Sequence, residues 1–371
     1  MKIAMIGQKR IPSREGGIEI VVEELSSRLV KCGHTVVAYN RMGHHVSGKE
    51  FETKALKEHK GIILKSIFTF ENSALNAIVY SALASLCASL KHFDVVHFHA
   101  EGPAAMCFLP KLFGKRVIVT IHGLDWQRSK WGGFASKFLK FGEKNAVKYA
   151  DEIIVLSKNI QQYFLDTYGR KTVLIPNGVS KPQPVGDKIL KEKYEIEKDS
   201  YILFLGRLVP EKGVHYLINA YKKIYTGKKL VIAGGSSHTS EYVDELKKLA
   251  ANDNRIVFTG FVQGVELAAL YSNAYIYCLP SDLEGMPLSL LEAMSFGCCC
   301  LTSDIHECTE VCEDNAVYFK KSSEEDLKNK LEELINSQEK VKKISEKSSG
   351  YILNKYNWDA VTKDTLELYR G

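Results

Sequence analysis

The chain opens on a strand, a loop and a helix, yet it lacks the G-x-G-x-x-G fingerprint of a dinucleotide-binding first turn. That absence argues against NAD. A disulfide framework is also missing. The nine cysteines are scattered or clustered, which fits a reducing cytosol. No standard zinc spacing links them, although Cys298-Cys299-Cys300 is followed by His306, Cys308 and Cys312. Three adjacent cysteines on a strand point to alternate faces and cannot all converge on one ion, so buried small residues are expected there. Met1-Lys2 leads straight into the apolar Ile3-Ala4-Met5-Ile6, and no signal peptide is expected. Without a helix-turn-helix, RRM or zinc module, nucleic acid is not an expected partner. Nor is there a secure membrane span. Ser73 to Leu90 is apolar and uncharged, and at about 18 residues it touches the lower limit for one. It carries Ser, Asn and Tyr between two strand patterns, so a buried crossover helix is expected.

What is present points to two domains. A length of 371 residues and an apolar fraction of 45% suit two full cores. Residues 1–178 hold 25 Lys+Arg against 15 Asp+Glu, a balance of +10; residues 179–371 hold 25 against 29, a balance of −4. An anionic membrane or a lipid pyrophosphate suits the basic half. Lys54, Lys57, Lys60 and Lys65 flank the Ser73–Leu90 segment and are the expected membrane contacts.

Short strands alternate with helical patterns twice. The first half reads as strands Ile3–Gly7, Thr35–Tyr39, Ile62–Lys65, Val95–Phe98, Val117–Ile121, Ile153–Leu156 and Thr172–Ile175, with a helix over Ile18–Lys31. The second half restarts at Tyr201–Leu205 and continues through Lys229–Ala233, Ile256–Phe258, Ile276–Leu279 and Cys298–Thr302, with a helix over Val214–Ile224. Two Rossmann-like α/β domains are therefore expected, 1–178 and 179–355, with residues 356–371 as a terminal segment.

Within the second half, Glu284-Gly285-Met286-Pro287-Leu288-Ser289-Leu290-Leu291-Glu292 sets two carboxylates eight positions apart. Gly285 and Pro287 fit a turn, and a helix is expected to start at Leu288 or Ser289. Its free N–H groups and dipole suit a phosphate. A carboxylate on either side could accept hydrogen bonds from sugar hydroxyls. Arg207 and Lys212 lie on a loop after a strand, where a guanidinium fork and an ammonium could hold phosphate oxygens and stabilise a departing diphosphate. Gly16 and Gly17 offer N–H groups that a pyrophosphate could approach closely.

The Glu284–Glu292 segment resembles the E-x7-E motif of retaining GT-B glycosyltransferases. Gly206-Arg207-Leu208-Val209-Pro210-Glu211-Lys212-Gly213 resembles the family's G-R-x-x-x-x-K-G loop, and Ile175-Pro176-Asn177-Gly178-Val179 its domain link. Ile121-His122-Gly123 resembles the acceptor-side histidine loop, and Gly16-Gly17 the N-terminal glycine pair. Arg10-Ile11-Pro12 through Gly17, and His122 through Trp131, resemble a bacterial branch containing rhamnosyltransferases of surface-polysaccharide assembly. The resemblance implies a GT-B fold whose C-terminal segment packs back on the N-terminal domain. It implies a donor bound through Glu292, Leu288, Ser289, Gly16 and Gly17, with catalytic parts for His122, Arg207, Lys212 and Glu284. Asp125, Arg128 and Lys130 would meet the acceptor.

The implied reaction takes a sugar, best dTDP-L-rhamnose, to a lipid-linked saccharide at the inner face of the plasma membrane. No D-x-D clamp is present, so no cofactor or metal ion is expected. The alternatives are a non-catalytic nucleotide-sugar-binding protein, or a transferase using a UDP- or GDP-hexose and another acceptor.

Overall fold

A computed structural model describes residues 1–43, 56–70, 73–127, 133–235 and 240–371. The chain forms two compact units, Met1–Asn177 with Trp358–Gly371, and Gly178–Asn357.

The first unit carries β1 (Lys2–Ile6), β2 (Thr35–Arg41), β3 (Glu58–His59), β4 (Ile62–Ile67), β5 (Val95–His99), β6 (Arg116–Ile121), β7 (Glu152–Val155) and β8 (Val173–Leu174). They form one sheet in the order β3-β4-β2-β1-β5-β6-β7-β8, parallel except for the β3–β4 pair. Runs such as Ile3-Ala4-Met5-Ile6 are buried throughout because helices cover both faces. On one face Phe98, Val119 and Ile153 pack with Tyr80, Ala84, Ala88 and Ala146 from covering helices. On the other, Met5, Val36 and Ile118 pack with Val22, Leu25, Leu366 and Tyr369. The terminal helix Trp358–Arg370 thus completes this unit, packing on the helix Gly17–Lys31. Trp358 is buried, with the Arg28 guanidinium 5.7 Å over its ring.

The second unit carries β9 (Tyr201–Leu205), β10 (Lys229–Ala233), β11 (Ile256–Gly260), β12 (Ile276–Leu279), β13 (Cys300–Ser303) and β14 (Val317–Phe319). The order is β11-β10-β9-β12-β13-β14, and every pair is parallel. Val179 N–H donates to the Tyr356 carbonyl at 2.9 Å, so the two ends of this unit are tied together.

Two local expectations fail for physical reasons. Cys298 and Cys299 precede β13: the helix Leu288–Ser295 ends there, and Cys298 N–H bonds back to the Ala293 carbonyl at 3.0 Å. The buried thiols of Cys278, Cys298, Cys300, Cys308 and Cys312 have pKa values pushed up by burial, so they are inert packing groups.

The helix Ser73–Ser89 is a crossover between β4 and β5, but it is not buried all round. Tyr80, Ser81, Ala84, Ser85 and Ala88 face the sheet, while Leu83 and Leu86 are exposed. Small residues let the helix sit close to the strands, so the larger ones are left on the outer face. Among the described residues no helix is long and apolar enough to cross a membrane.

Candidate active site

In a parallel sheet, ligands bind beyond the carboxyl ends of the strands, where the strand order reverses. In the second unit that point lies between β9 and β12, because the chain runs outward from β9 through β10 to β11 and then returns to β9's other side. The loops leaving these two strands carry Arg207–Gly213 and Pro280–Glu284.

Backbone geometry stitches the two loops together. Asp282 N–H donates to the Glu211 carbonyl at 2.9 Å. Gly213 has φ +66, and a Cβ there would stand 2.0 Å from the Pro280 carbonyl oxygen. Only glycine allows both the left-handed conformation and the close approach. The result brings Lys212 Nζ to 2.5 Å from Glu284 Oε1. Ser281 Oγ donates to the same oxygen at 2.6 Å. Both charged side chains are nearly buried, at 11% and 7% exposure. The catalytic lysine and the hexose-side glutamate of the sequence reading are thus one ion pair. Arg207 lies half-buried on the same loop.

The helix Leu288–Ser295 starts where the turn residues place it, after Pro287. Leu290 and Leu291 N–H both donate to the Pro287 carbonyl. The earlier N–H groups of Leu288 and Ser289 precede any intrahelical acceptor and are the natural anion-binding pair. Glu292 sits a turn further in. Tyr271 OH spans Ser289 O at 3.2 Å and Glu292 Oε2 at 3.3 Å, and Tyr277 OH donates to Ser289 Oγ at 2.8 Å. Tyr271, Tyr277 and Ser281 escape sequence reasoning because nothing in their local spacing marks them. They fix the helix entry and the Glu284 carboxylate.

In the first unit the strand order reverses between β1 and β5. Gly7, at φ +138, follows β1, and a Cβ there would lie 2.2 Å from the His99 carbonyl oxygen. The loop beyond it includes a cis Ile11–Pro12 bond and is held by Asn40, which accepts from Ile11 N–H and donates to Ile11 O, both at 3.1 Å. Gly16 caps the helix Gly17–Lys31 without a side-chain capping bond. Buried Glu15 and Glu19 belong to this same corner, and Glu19 Oε1 accepts from Lys9 N–H at 2.8 Å. The glycine pair therefore has carboxylates for neighbours, which the spacing of Gly16 and Gly17 does not reveal.

His122 follows β6 and pairs with a residue the sequence reading passed over: His99 Nδ1 and His122 Nε2 are 3.0 Å apart. Burial lowers the His122 pKa to about 4, against the opposing charge of Asp125, so the ring is neutral near neutral pH. His97 stacks on His99 at 4.2 Å and bonds Tyr369 OH and Thr120 Oγ1. Alternation along β5 was the available signal, since His97 and His99 must share a face.

Asp125 begins a short turn, Asp125–Gln127, after the histidine. Facing it is Glu101, fully buried. Burial first, then Asp125 and Glu143, push its pKa well above the usual carboxylate range, which favours the neutral acid. Glu143, beside it, accepts from Trp126 Nε1 at 3.2 Å, Tyr163 OH at 2.8 Å and Tyr168 OH. Arg128 and Lys130 lie outside the described residues. Among the described residues no group of three or more His, Cys, Asp or Glu could hold a metal ion.

Comparison with known proteins places both units. The family described as Glycosyltransferase Family 4 matches residues 15–181, and that described as Glycosyl transferases group 1 matches residues 187–351. An uncharacterized glycosyltransferase of Methanocaldococcus jannaschii is 24% identical, over 100% of this chain and 98% of its own length. The alpha-maltose-1-phosphate synthase of Mycolicibacterium smegmatis is 23% identical, over 100% and 99%. Sucrose-phosphate synthase from Thermosynechococcus elongatus has the same fold, with a TM-score of 0.85 at 20% identity, covering 100% of this chain and 98% of that one. Anabaena HepE in complex with UDP and glucose superposes with a TM-score of 0.82 at 17% identity, covering 99% and 98%.

Proposed function

Since the chain is a glycosyltransferase of the GT-B fold, with a family 4 segment followed by a group 1 segment, we propose that it moves L-rhamnose from dTDP-L-rhamnose to a lipid-linked saccharide, with retention at the anomeric carbon. The observation that carries the donor side is the Lys212–Glu284 pair at the strand-order reversal, beside the open N-terminus of the Leu288–Ser295 helix. Arg207 and the N–H groups of Leu288 and Ser289 take the diphosphate. Glu292 takes the 3′-hydroxyl of the donor's deoxyribose, oriented by Tyr271. Glu284 takes the hexose, its carboxylate aimed by Lys212 and Ser281. In the first unit His122, neutral and fixed by His99, takes the hexose near the reacting carbon, and Asp125, Arg128 and Lys130 the acceptor. Gly16 and Gly17 lend N–H groups to the pyrophosphate.

In the reaction the C1–O bond to phosphate breaks while the acceptor oxygen bonds to C1 from the same face. The acceptor's proton passes to the departing phosphate oxygen. Charge grows on the leaving diphosphate, and preorganised cations and N–H dipoles stabilise it. With no D-x-D clamp in the sequence, turnover requires no divalent ion and persists in a chelator. The rhamnosyl assignment is supported by Arg10–Gly17 and His122–Trp131, which resemble that bacterial branch. The basic balance of the first unit supports work at the inner face of the plasma membrane.

A second reading keeps the chemistry and changes the sugar, since the relatives include synthases of glucosides and a neighbour in complex with UDP-glucose. A thermal-shift panel of dTDP-L-rhamnose, UDP-glucose and GDP-mannose separates the two. A donor at a hundred times its Kd adds about 2.7 kcal/mol of stability. A shift with dTDP-L-rhamnose alone supports the first reading; a shift with UDP-glucose or GDP-mannose alone moves the assignment to the second.

A further inference from the structure

Exposed large apolar side chains are concentrated in one unit. Of thirteen among the described residues, eleven belong to the first unit, the same one that carries the basic excess. Several of them share one layer. The helices Ser73–Ser89, Phe108–Leu112 and Gly133–Tyr149 cover the same face of the sheet, since Ala84 and Ala88, Cys107, and Ala146 all enter one core. The outer side of this layer shows Leu86 at 43% exposure, Leu90 at 67%, Leu112 at 73% and Phe113 at 51%. Leu90 and Phe113 precede β5 and β6, which are neighbours in register, with Val95 opposite Arg116. They therefore stand at the same end of the sheet.

The charge on this layer has one sign outside and the other inside. The helix Gly133–Tyr149 exposes Lys137, Lys140, Lys144 and Lys148, spaced so that they form one stripe, with Phe141 among them. None of the four is within ion-pair distance of a carboxylate among the described residues, and Lys140 Nζ lies 3.9 Å over the Trp126 ring. The helix's single acid, Glu143, is turned inward and fully buried. Lys91 is exposed beside Leu90, and Lys111 is held by Asp151 at 2.5 Å. Leucine and phenylalanine projecting beside unpaired lysines form the pattern of a surface that lies on anionic lipid.

We propose that this layer, through Leu86, Leu90, Leu112 and Phe113 with the Lys137–Lys148 stripe, is the face that docks on an anionic phospholipid bilayer. The inference rests on the reading that the enzyme works at a membrane, and it adds which face meets the lipid. A second copy is a poor occupant, because a two-fold interface would set lysine stripe against lysine stripe. Of the four lysines expected from sequence to make this contact, Lys60 is tied to Glu23 at 2.7 Å, and Lys54 lies outside the described residues. Lys57 and Lys65 are exposed, and the helical layer adds the projecting apolar side chains that a lysine contact alone lacks.

Co-sedimentation of the full chain with phosphatidylglycerol–phosphatidylcholine vesicles, and with phosphatidylcholine alone, tests the face. Wild type should sediment with the anionic vesicles and not with the neutral ones. Replacing Lys137, Lys144 and Lys148 with Gln should weaken binding about fivefold for each lysine removed. The pair Leu90→Asp and Phe113→Asp should weaken it at least tenfold and leave the thermal unfolding midpoint unchanged, since both side chains are exposed. Calorimetry with nucleoside diphosphate is run on every variant. Unaltered nucleotide binding with lost sedimentation supports the docking face. Wild-type sedimentation in both variant sets overturns the face and leaves membrane attachment standing elsewhere. Wild type that never sediments but binds nucleotide overturns membrane docking and spares the transferase. Variants that change the oligomeric state on gel filtration would assign the face to a protein interface and overturn the proposal.

Discussion

Lys212 Nζ and Glu284 Oε1 stand 2.5 Å apart, joining the loop after β9 to the loop after β12 across 72 residues of sequence. Each side chain alone would be a nearly buried charge without compensation. Either Lys212→Ala or Glu284→Ala should therefore cost about 3 kcal/mol of stability, because one partner is left unpaired. The double variant Lys212→Met, Glu284→Leu should recover most of that loss and stay inactive. Urea unfolding and a transfer assay on the same samples decide it. A double variant as unstable as the singles would show that the pair is not the source of the loss. One that regains turnover would remove both residues from the chemistry.

Glu292→Ala should weaken binding of the nucleoside diphosphate by about 1.5–3 kcal/mol, the value of a charge-assisted hydrogen bond. Tyr271→Phe should cost less, since its hydroxyl only steers the carboxylate, from 3.3 Å. Calorimetry with the diphosphate alone reads both. Unchanged affinity in folded Glu292→Ala takes that residue out of the donor site.

Much of this was legible in the sequence, and the boundary of legibility is physical. The loop–turn–helix around Glu284 and Glu292 is local chemistry: Gly285 and Pro287 set the turn, and the helix begins at Leu288 as that chemistry demands. The strand alternation likewise announces two parallel sheets. What sequence could not show were contacts made by distant loops, such as Asp282 N–H on Glu211 O and His99 on His122. It also misjudged Ser73–Ser89. An all-apolar pattern does not say which side chains go inward, and here close approach to the sheet selected Ala84 and Ala88 over Leu83 and Leu86.

Arg207→Ala should lower kcat more than it raises the donor KM. The negative charge on the leaving diphosphate grows towards the transition state, so a cation aimed at it matters most there. Steady-state kinetics with the donor that the thermal-shift panel selects provides the comparison. A raised KM with kcat intact would reduce Arg207 to uniform substrate binding.

Acid should destabilise the first unit through His97. Burial first, then the neighbouring His122, lower its pKa to about 3. The unfolded chain's histidine titrates near the ordinary value of about 6.5. Between those values the unfolded state takes up a proton that the folded state refuses. The contribution is thus complete above about pH 6.5 and drains away as pH falls towards about 3, at a slope approaching 1.4 kcal/mol per unit, roughly. His97→Gln should be less stable than wild type at neutral pH, having lost the pairing with Tyr369 and Thr120. It should then lose less on acidification to about pH 5. Parallel stability curves for the two proteins would exclude His97 as the sensitive group.

Gly213 offers a way to separate the loops without touching any charge. Its φ of +66 is already unfavourable for a side chain, and a Cβ would sit 2.0 Å from the Pro280 carbonyl oxygen. Both the strain and the clash fall on the seam between the Arg207–Gly213 and Pro280–Glu284 loops. The left-handed conformation alone costs about 1–2 kcal/mol in a residue with a Cβ. Relief of the clash must push the loops apart, which lengthens the 2.5 Å contact between Lys212 and Glu284. Gly213→Ala should therefore abolish most transfer activity and also lower the unfolding midpoint clearly, because the strain, the clash and the weakened ion pair act together. Gly227→Ala is the control, because a Cβ there meets nothing within 4 Å. Activity and thermal unfolding of the two variants, side by side, give the result. A fully active Gly213→Ala would mean that the loops need not be held together and that the Lys212–Glu284 pair is dispensable for turnover.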